Sequence, residues 1–344
     1  MSQVAVNKLD LFHLAWPILI EQLTGGVVVM ADIYFLSLLG EEAAATAGLL
    51  MPYLLIGFFV LPMLSSGGTA AASQYYGAGK LDKVQPVFIT NIVLLGVAGF
   101  AFSAFTLANF DNIALWLNFP EAMQAYAEQY LAIIGFCFGF HGLRCAYGSI
   151  LAAKAMTQWN MLVSLLTNVL NIFLNATFFF GWFGLPRMGL PGIALSTVLS
   201  FVFAWLMVMA IVRFKAGVRL EFSRAMLPQM RAVLRPLLKI SVPSAAEPAN
   251  YTLQQIVVAG ILASLGVLAV SSYTFVLRLL FVSMAVSASL AAAGQIIMSH
   301  HMGARNLDTV DATYMRCIRL AMSFAFINML LFAWFYQPLI GIFS

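Results

Sequence analysis

Charge is what this sequence is short of. Only 9% of its 344 residues are Asp, Glu, Lys or Arg, while 62% are hydrophobic; a soluble domain carries about 25% charged residues. A soluble domain of any size is therefore excluded. Cysteine is also scarce. Cys137, Cys145 and Cys317 sit in apolar stretches without metal-ligand spacing and read as small apolar residues. Catalytic signatures are missing: there is no H-E-x-x-H, no G-x-S-x-G, no Walker A sequence and no Asp-rich prenyl-diphosphate motif. The chain does not read as an enzyme. Its net charge of +4 is no sign of a nucleic-acid partner either, because the cations fall in loops on one side of a membrane.

What is there is apolar length. Runs such as 86–110 and 190–212 are almost free of charge and exceed the roughly 18 residues that mark a membrane-spanning helix. The first apolar segment, 11–39, is too long for the 7–15-residue core of a signal peptide and reads as an uncleaved span. Nine spans are expected, over 12–38, 49–76, 86–110, 124–151, 158–182, 190–213, 236–264, 272–299 and 314–342. The breaks carry turn chemistry, as in Gly40-Glu41-Glu42 and Gly184-Leu185-Pro186. Residues 213–239 differ from the other connections. Seven cations there, Arg213, Lys215, Arg219, Arg224, Arg231, Arg235 and Lys239, alternate with Leu220, Phe222, Met226 and Leu227. That composition predicts a basic linker, partly an amphipathic helix on an anionic membrane surface.

With the N-terminus inside, the inner segments hold fourteen Lys and Arg, and the outer loops hold only Arg187. The positive-inside rule therefore predicts a cytoplasmic N-terminus; a bacterial inner membrane is the expected location. His300 and His301, at an inner helix end, read as interfacial.

The chain also repeats itself. Sliding it by 226 positions lays residues 11–84 on 237–310 without a gap, and 17 of the 74 pairs are identical. Among them are Pro17/Pro243, Glu21/Glu247, Gly68/Gly294 and Gly77/Gly303. Paired Pro, Glu and Gly at one offset indicate an internal duplication. The offset covers six spans, an even number, so the copies share an orientation. The expected fold class is an all-α polytopic membrane protein made of two lobes, parallel repeats of a six-helix bundle. Residues 1–212 form the first lobe, 213–235 the linker and 236–344 a second lobe holding three helices. Two full copies would take about 452 residues, twice the offset, so the chain reads as a fragment.

Ionisable residues inside spans cost roughly 2.5–3.5 kcal/mol each on insertion scales and mark functional sites facing a cavity. Five stand out: Glu21, Asp32, Arg144, Glu247 and Arg278. For each arginine the alternative is a structural pair with an acid. Asp32 lies about 10 Å below the outer surface at 1.5 Å per residue, the same depth as Asn175 and Thr197. In the fifth span Ser164, Asn168, Asn171 and Asn175, spaced 4, 3 and 4, share one helical face. A carboxylate, amide oxygens and a hydroxyl at one depth suit Na⁺ or a proton; otherwise such Asn and Thr residues only hold helices together. Glu21 precedes Asp32 by three turns and looks into the same space. Glu247, with Asn250 and Gln254, forms a matching stripe in the second lobe. Acids facing a shared centre would attract cationic amphipathic molecules. Pro17, Pro52, Pro62 and Pro243, with Gly67, Gly68 and Gly294, are candidate bends.

These residues resemble the multidrug and toxic compound extrusion (MATE) family, within the larger group that includes lipid-linked oligosaccharide flippases. The resemblance is carried by Leu14-Ala15-Trp16-Pro17 followed by Met30-Ala31-Asp32-Ile33-Tyr34, and by Gly77-Ala78-Gly79-Lys80. Further support comes from Asn168-Val169-Leu170-Asn171 running on to Asn175, from Gly189-Leu190-Pro191-Gly192 running on to Thr197, and from Gly303-Ala304. It spans the whole chain and implies twelve spans in two lobes, of which nine are here, around a V-shaped cavity. It implies alternating access, with export of small organic cations against inward Na⁺ or H⁺ and no other cofactor. A monomer in the lipid bilayer is expected. By position Asp32, Asn171, Asn175 and Thr197 match the family's cation site, with any Na⁺ at Asp32, and Glu247 matches its span-seven acid. The family often has Asp where Asn175 stands, so this chain offers one charge fewer. A flippase for a lipid-linked substrate, the second reading, would line its cavity with basic groups, and only Arg144 and Arg278 could serve.

Overall fold

A computed structural model of the protein describes residues 9–117, 119–221, 223–264 and 267–343; beyond residue 334, and at scattered positions mostly between 248 and 279, it describes the backbone alone. Every regular element among the described residues is helical. The helices are α1 (Leu11–Leu39), α2 (Glu41–Gly77), α3 (Val84–Ala108), α4 (Phe110–Trp116), α5 (Glu121–Ile134), α6 (Cys137–Ala153), α7 (Thr157–Phe180), α8 (Leu190–Phe214), α9 (Leu227–Ser264), α10 (Val267–Gly303) and α11 (Leu307–Phe343). Eight helical stretches among the described residues are long and apolar enough to cross a membrane. They correspond to eight of the nine expected spans. The remaining one, 236–264, lies in α9, part of whose side chains fall outside the described residues.

Local chemistry sets the helix ends. The Asp10 carboxylate accepts from the His13 N–H at 3.1 Å and caps α1. Gly181, in the left-handed conformation at φ 74°, ends α7, and Pro191 opens α8. Two boundaries depart from expectation. The fourth span is not continuous: it breaks at Gly135-Phe136 into α5 and α6. A side chain on Gly135 would come within 2.9 Å of Leu107, so the break lies where helices crowd. The linker is shorter than expected, because α9 begins at Leu227 and takes Arg231 and Arg235 into its first turns.

The first six spans, α1 to α8, pack as one bundle around Phe138, Leu50, Leu95, Leu131 and Ile193, all buried. In lipid, small residues that let backbones approach supply the attraction between helices. At the α3–α6 crossing, a Cβ on Gly99 or Gly142 would lie 2.5 Å from a carbonyl of the other helix. Within this bundle Asn91 donates to Ser149 at 2.9 Å.

The rest of the chain docks at one end. Lys80, Lys154, Arg213 and Arg305 mark that end, called the basic end below. There Thr157 donates to the Leu14 carbonyl and Ser241 to that of Leu64, and α10 crosses α2. A Cβ on Gly77 would sit 1.8 Å from the His300 carbonyl oxygen, and one on Gly303 1.9 Å from that of Gln74. Only glycine fits either position. The following turns match bond for bond: Lys80 N–H donates to Tyr75 O at 3.0 Å, and Asn306 N–H to His301 O at 2.9 Å. Gly79 and Arg305 both have positive φ, 71° and 59°. One expectation is corrected at this end. His300 and His301 are buried rather than interfacial, since His300 bonds the Ala153 carbonyl and stacks on Tyr76. α1 and α2 remain helical through Pro17, Pro52 and Pro62, and Gly67 and Gly68 pack closely on Ser241 and Asn91.

Candidate functional site

α1 brings its two carboxylates to different neighbours. Eleven residues separate Glu21 from Asp32, three helical turns, so both point from one face, roughly 16 Å apart. That face meets α7 across the bundle.

Towards the far end, Asp32 Oδ1 accepts from Asn175 Nδ2 at 2.6 Å, and the same amide group donates to Asn171 Oδ1 at 3.2 Å. Asn175 and Asn171 are fully buried; Asp32 is half-buried. An ionised carboxylate accepts and cannot donate, so it fixes which end of the Asn175 amide faces it. Asn175 Oδ1 is left buried with no hydrogen-bond partner among the described residues. The cluster thus offers carboxylate and amide oxygens, the hard donors that suit a monovalent cation or a proton. Of the expected set, Asp32, Asn171 and Asn175 come together. Thr197 does not join them by a hydrogen bond, because its hydroxyl turns back to the Ile193 carbonyl at 3.2 Å. Tyr130 of α5, not anticipated, is buried within the same bundle.

Towards the basic end, Glu21 Oε1 meets Arg144 Nη2 of α6 at 2.7 Å. The pair is about three-quarters buried and lines a cavity of about 160 Å³ shared with Ser65, Thr69, Ser149 and Asn160. Arg144 is therefore paired with an acid rather than presented to a central space. Arg278 lies outside the described side chains. Ser164 is buried on α7, and Asn168, one turn on, has Nδ2 buried and unpartnered among the described residues.

The second acid stripe is arranged differently. Glu247, Asn250 and Gln254 of α9 are exposed, and no hydrogen bond among the described residues ties them to the Asp32 cluster. Gln255, not Gln254, is the engaged amide: it donates to Tyr251 at 2.6 Å and accepts from Tyr273 of α10 at 2.5 Å. The i,i+4 pairing of Tyr251 with Gln255 was the signal available for it.

A family model described as MatE matches residues 17–177 and 243–344. An uncharacterized transporter of Bacillus subtilis, YisQ, is 24% identical over 344 residues, covering 100% of this chain and 75% of the relative. A probable multidrug resistance protein NorM of Thermotoga maritima is 26% identical over 347 residues, covering 100% of this chain and 74% of the relative. Among solved structures, an outward-facing multidrug resistance MATE family transporter of the MOP superfamily superposes with a TM-score of 0.88 at 19% identity, covering 97% of this chain and 73% of that one. A MOP superfamily transporter from Pyrococcus furiosus, described as having a binding pocket of reverse polarity that suggests a different function, superposes at 0.87, with 19% identity and the same two coverages. At such identities the structures speak for the fold.

Proposed function

Because the chain belongs to the MatE family of membrane transporters, we propose that it is a multidrug efflux antiporter, which exports organic cations against an inward flow of Na⁺ or H⁺ by alternating access. The observation that carries the reading is the carboxylate at Asp32, held by Asn175 with Asn171 beside it, inside helices apolar enough to cross a membrane. An acid there can be neutralised by a cation and released again. A protein whose two conformations differ in affinity for that cation moves substrate the other way, because a shared site or shared helix links the two binding energies. With the basic end cytoplasmic, Asp32 takes its cation from outside. The two duplicated units of parallel orientation, one holding α1 to α8 and the other α9 to α11, supply the parts that rock against one another. The names of relatives such as NorM, called a probable multidrug resistance protein, favour drug-like cargo.

The flippase reading needs free basic groups in a cavity. Arg144, the described candidate, is bound to Glu21, and this weighs against it. The deciding experiment is ethidium efflux from cells making the protein, in Na⁺ and Na⁺-free buffers at several pH values. Efflux driven by one of the two gradients, and lost in Asp32→Asn with the protein still in the membrane, is the expected result. Undiminished efflux by that variant would sink the reading.

A further inference from the structure

The Glu21–Arg144 pair sits where a helix-gluing contact gains little. It borders a polar cavity of about 160 Å³ lined by Ser65, Thr69, Ser149 and Asn160, whereas the surrounding bundle already packs through glycine contacts and apolar side chains. The cavity also lies on a path. Asn160, Ser164, Thr167/Asn168, Asn171 and Asn175 recur every three or four residues along α7 and form one polar face. That face reaches from the cavity at Asn160 to the Asp32 cluster at Asn175, roughly 22 Å at 1.5 Å per residue. Between its ends, Thr167 Oγ1 and Asn168 Nδ2 are buried and unpartnered among the described residues, although buried polar groups are as a rule satisfied. Opposite runs α1, with Asp32 at one end of the seam and Glu21 at the other.

From this geometry we propose that the α1–α7 seam is the route by which the coupling cation passes from Asp32 towards the basic end, and that Arg144 is a tethered cation that plugs it by occupying Glu21. The inference rests on the reading of Asp32 as the coupling site. A lone carboxylate enclosed between helices captures any cation that reaches it, since Coulomb attraction in the protein interior is several-fold stronger than in water. A guanidinium 2.7 Å away neutralises Glu21 with a charge that cannot leave, because arginine stays protonated. While the pair is closed, a cation arriving along the seam finds no free acid and does not cross without cargo. Arg144 is a positioning and specificity residue in this account: its job is to keep the flow coupled.

The test uses the whole chain purified into vesicles of phosphatidylethanolamine and phosphatidylglycerol, loaded with Na⁺- or pH-sensitive dye, with an inward gradient and no drug. Wild type is expected to leak at the protein-free rate. Arg144→Gln, which frees Glu21, is expected to raise cation entry at least about fivefold. Adding Glu21→Gln to it should return entry to background, and so should adding Asp32→Asn. Glu21→Asp draws the acid back by one methylene and is a second opener, expected to leak about twofold, so the test survives if Arg144→Gln does not fold. The swap Glu21→Arg with Arg144→Glu keeps the pair and should stay tight. No extra leak from either opener overturns the proposal. Equal leak from Arg144→Gln with and without Glu21→Gln also overturns it, because loosened packing would then be the cause. Leak that persists with Asp32→Asn rejects the seam as the route; whether Asp32 couples export is read separately, by drug exchange in the single Asp32→Asn variant.

Discussion

Asp32 and Glu21 are the same functional group on the same face of the same helix, and their neighbours make them opposites. Asp32 meets the Asn175 amide, which can hold it without discharging it. Glu21 meets a guanidinium that discharges it at 2.7 Å. A carboxylate held by neutral donors keeps its charge available to an incoming ion; one held by arginine has already spent it. Position in the membrane therefore says that an acid matters, and the partner says how. Glu247, which the 226-residue offset pairs with Glu21, is a third case: it is exposed on α9.

The comparison breaks most sharply at Asp32→Asn. Amide for carboxylate keeps size and a hydrogen-bond acceptor for Asn175, so thermal stability in detergent should stay within about 1 kcal/mol, while drug efflux falls about 50-fold or more, the upper range of a coupling energy between sites. Asn175→Ala comes next. It removes the donor at 2.6 Å and should weaken the apparent affinity for the coupling ion about tenfold, in line with about 1.5 kcal/mol for a hydrogen bond to a charged group, read from the ion dependence of efflux. Glu21→Gln should show the reverse profile. Efflux drops only a few-fold, but stability falls by about 2 kcal/mol, because Arg144 is left without its counter-charge; a thermal melt in detergent reads it. If Asp32→Asn proves the less stable variant and Glu21→Gln the less active, the two acids have been assigned the wrong way round. Thr197→Val should do least, within about 0.5 kcal/mol and twofold in efflux, since its hydroxyl is engaged by its own helix.

Much of this was legible in the chain. Scarce charge and long apolar runs dictate membrane-spanning helices, because hydrocarbon offers the backbone no other partners, and eight such stretches stand where spans were expected. Asp32 with Asn171 and Asn175 could be inferred from depth and helical period. The break at Gly135, the early start of α9 at Leu227 and the burial of His300 were not legible. Each depends on which helix lies alongside, and periodicity along one helix carries no record of its neighbour. Thr197 illustrates this at a single residue: depth sets its level in the membrane, while the direction of its hydroxyl, which donates to the Ile193 carbonyl, is settled by the local backbone.

The sequence by itself determined that this is a helical membrane protein with a few costly acids in its spans and a repeated segment whose glycines recur in register, because insertion energetics act on composition and spacing alone. Only the tertiary structure decided that Arg144 reaches Glu21 and leaves Asp32 to the amides, and that Gly77 and Gly303 meet each other's helix backbones. Those outcomes turn on distances of a few ångströms between residues more than a hundred positions apart, where one side chain's reach selects its partner.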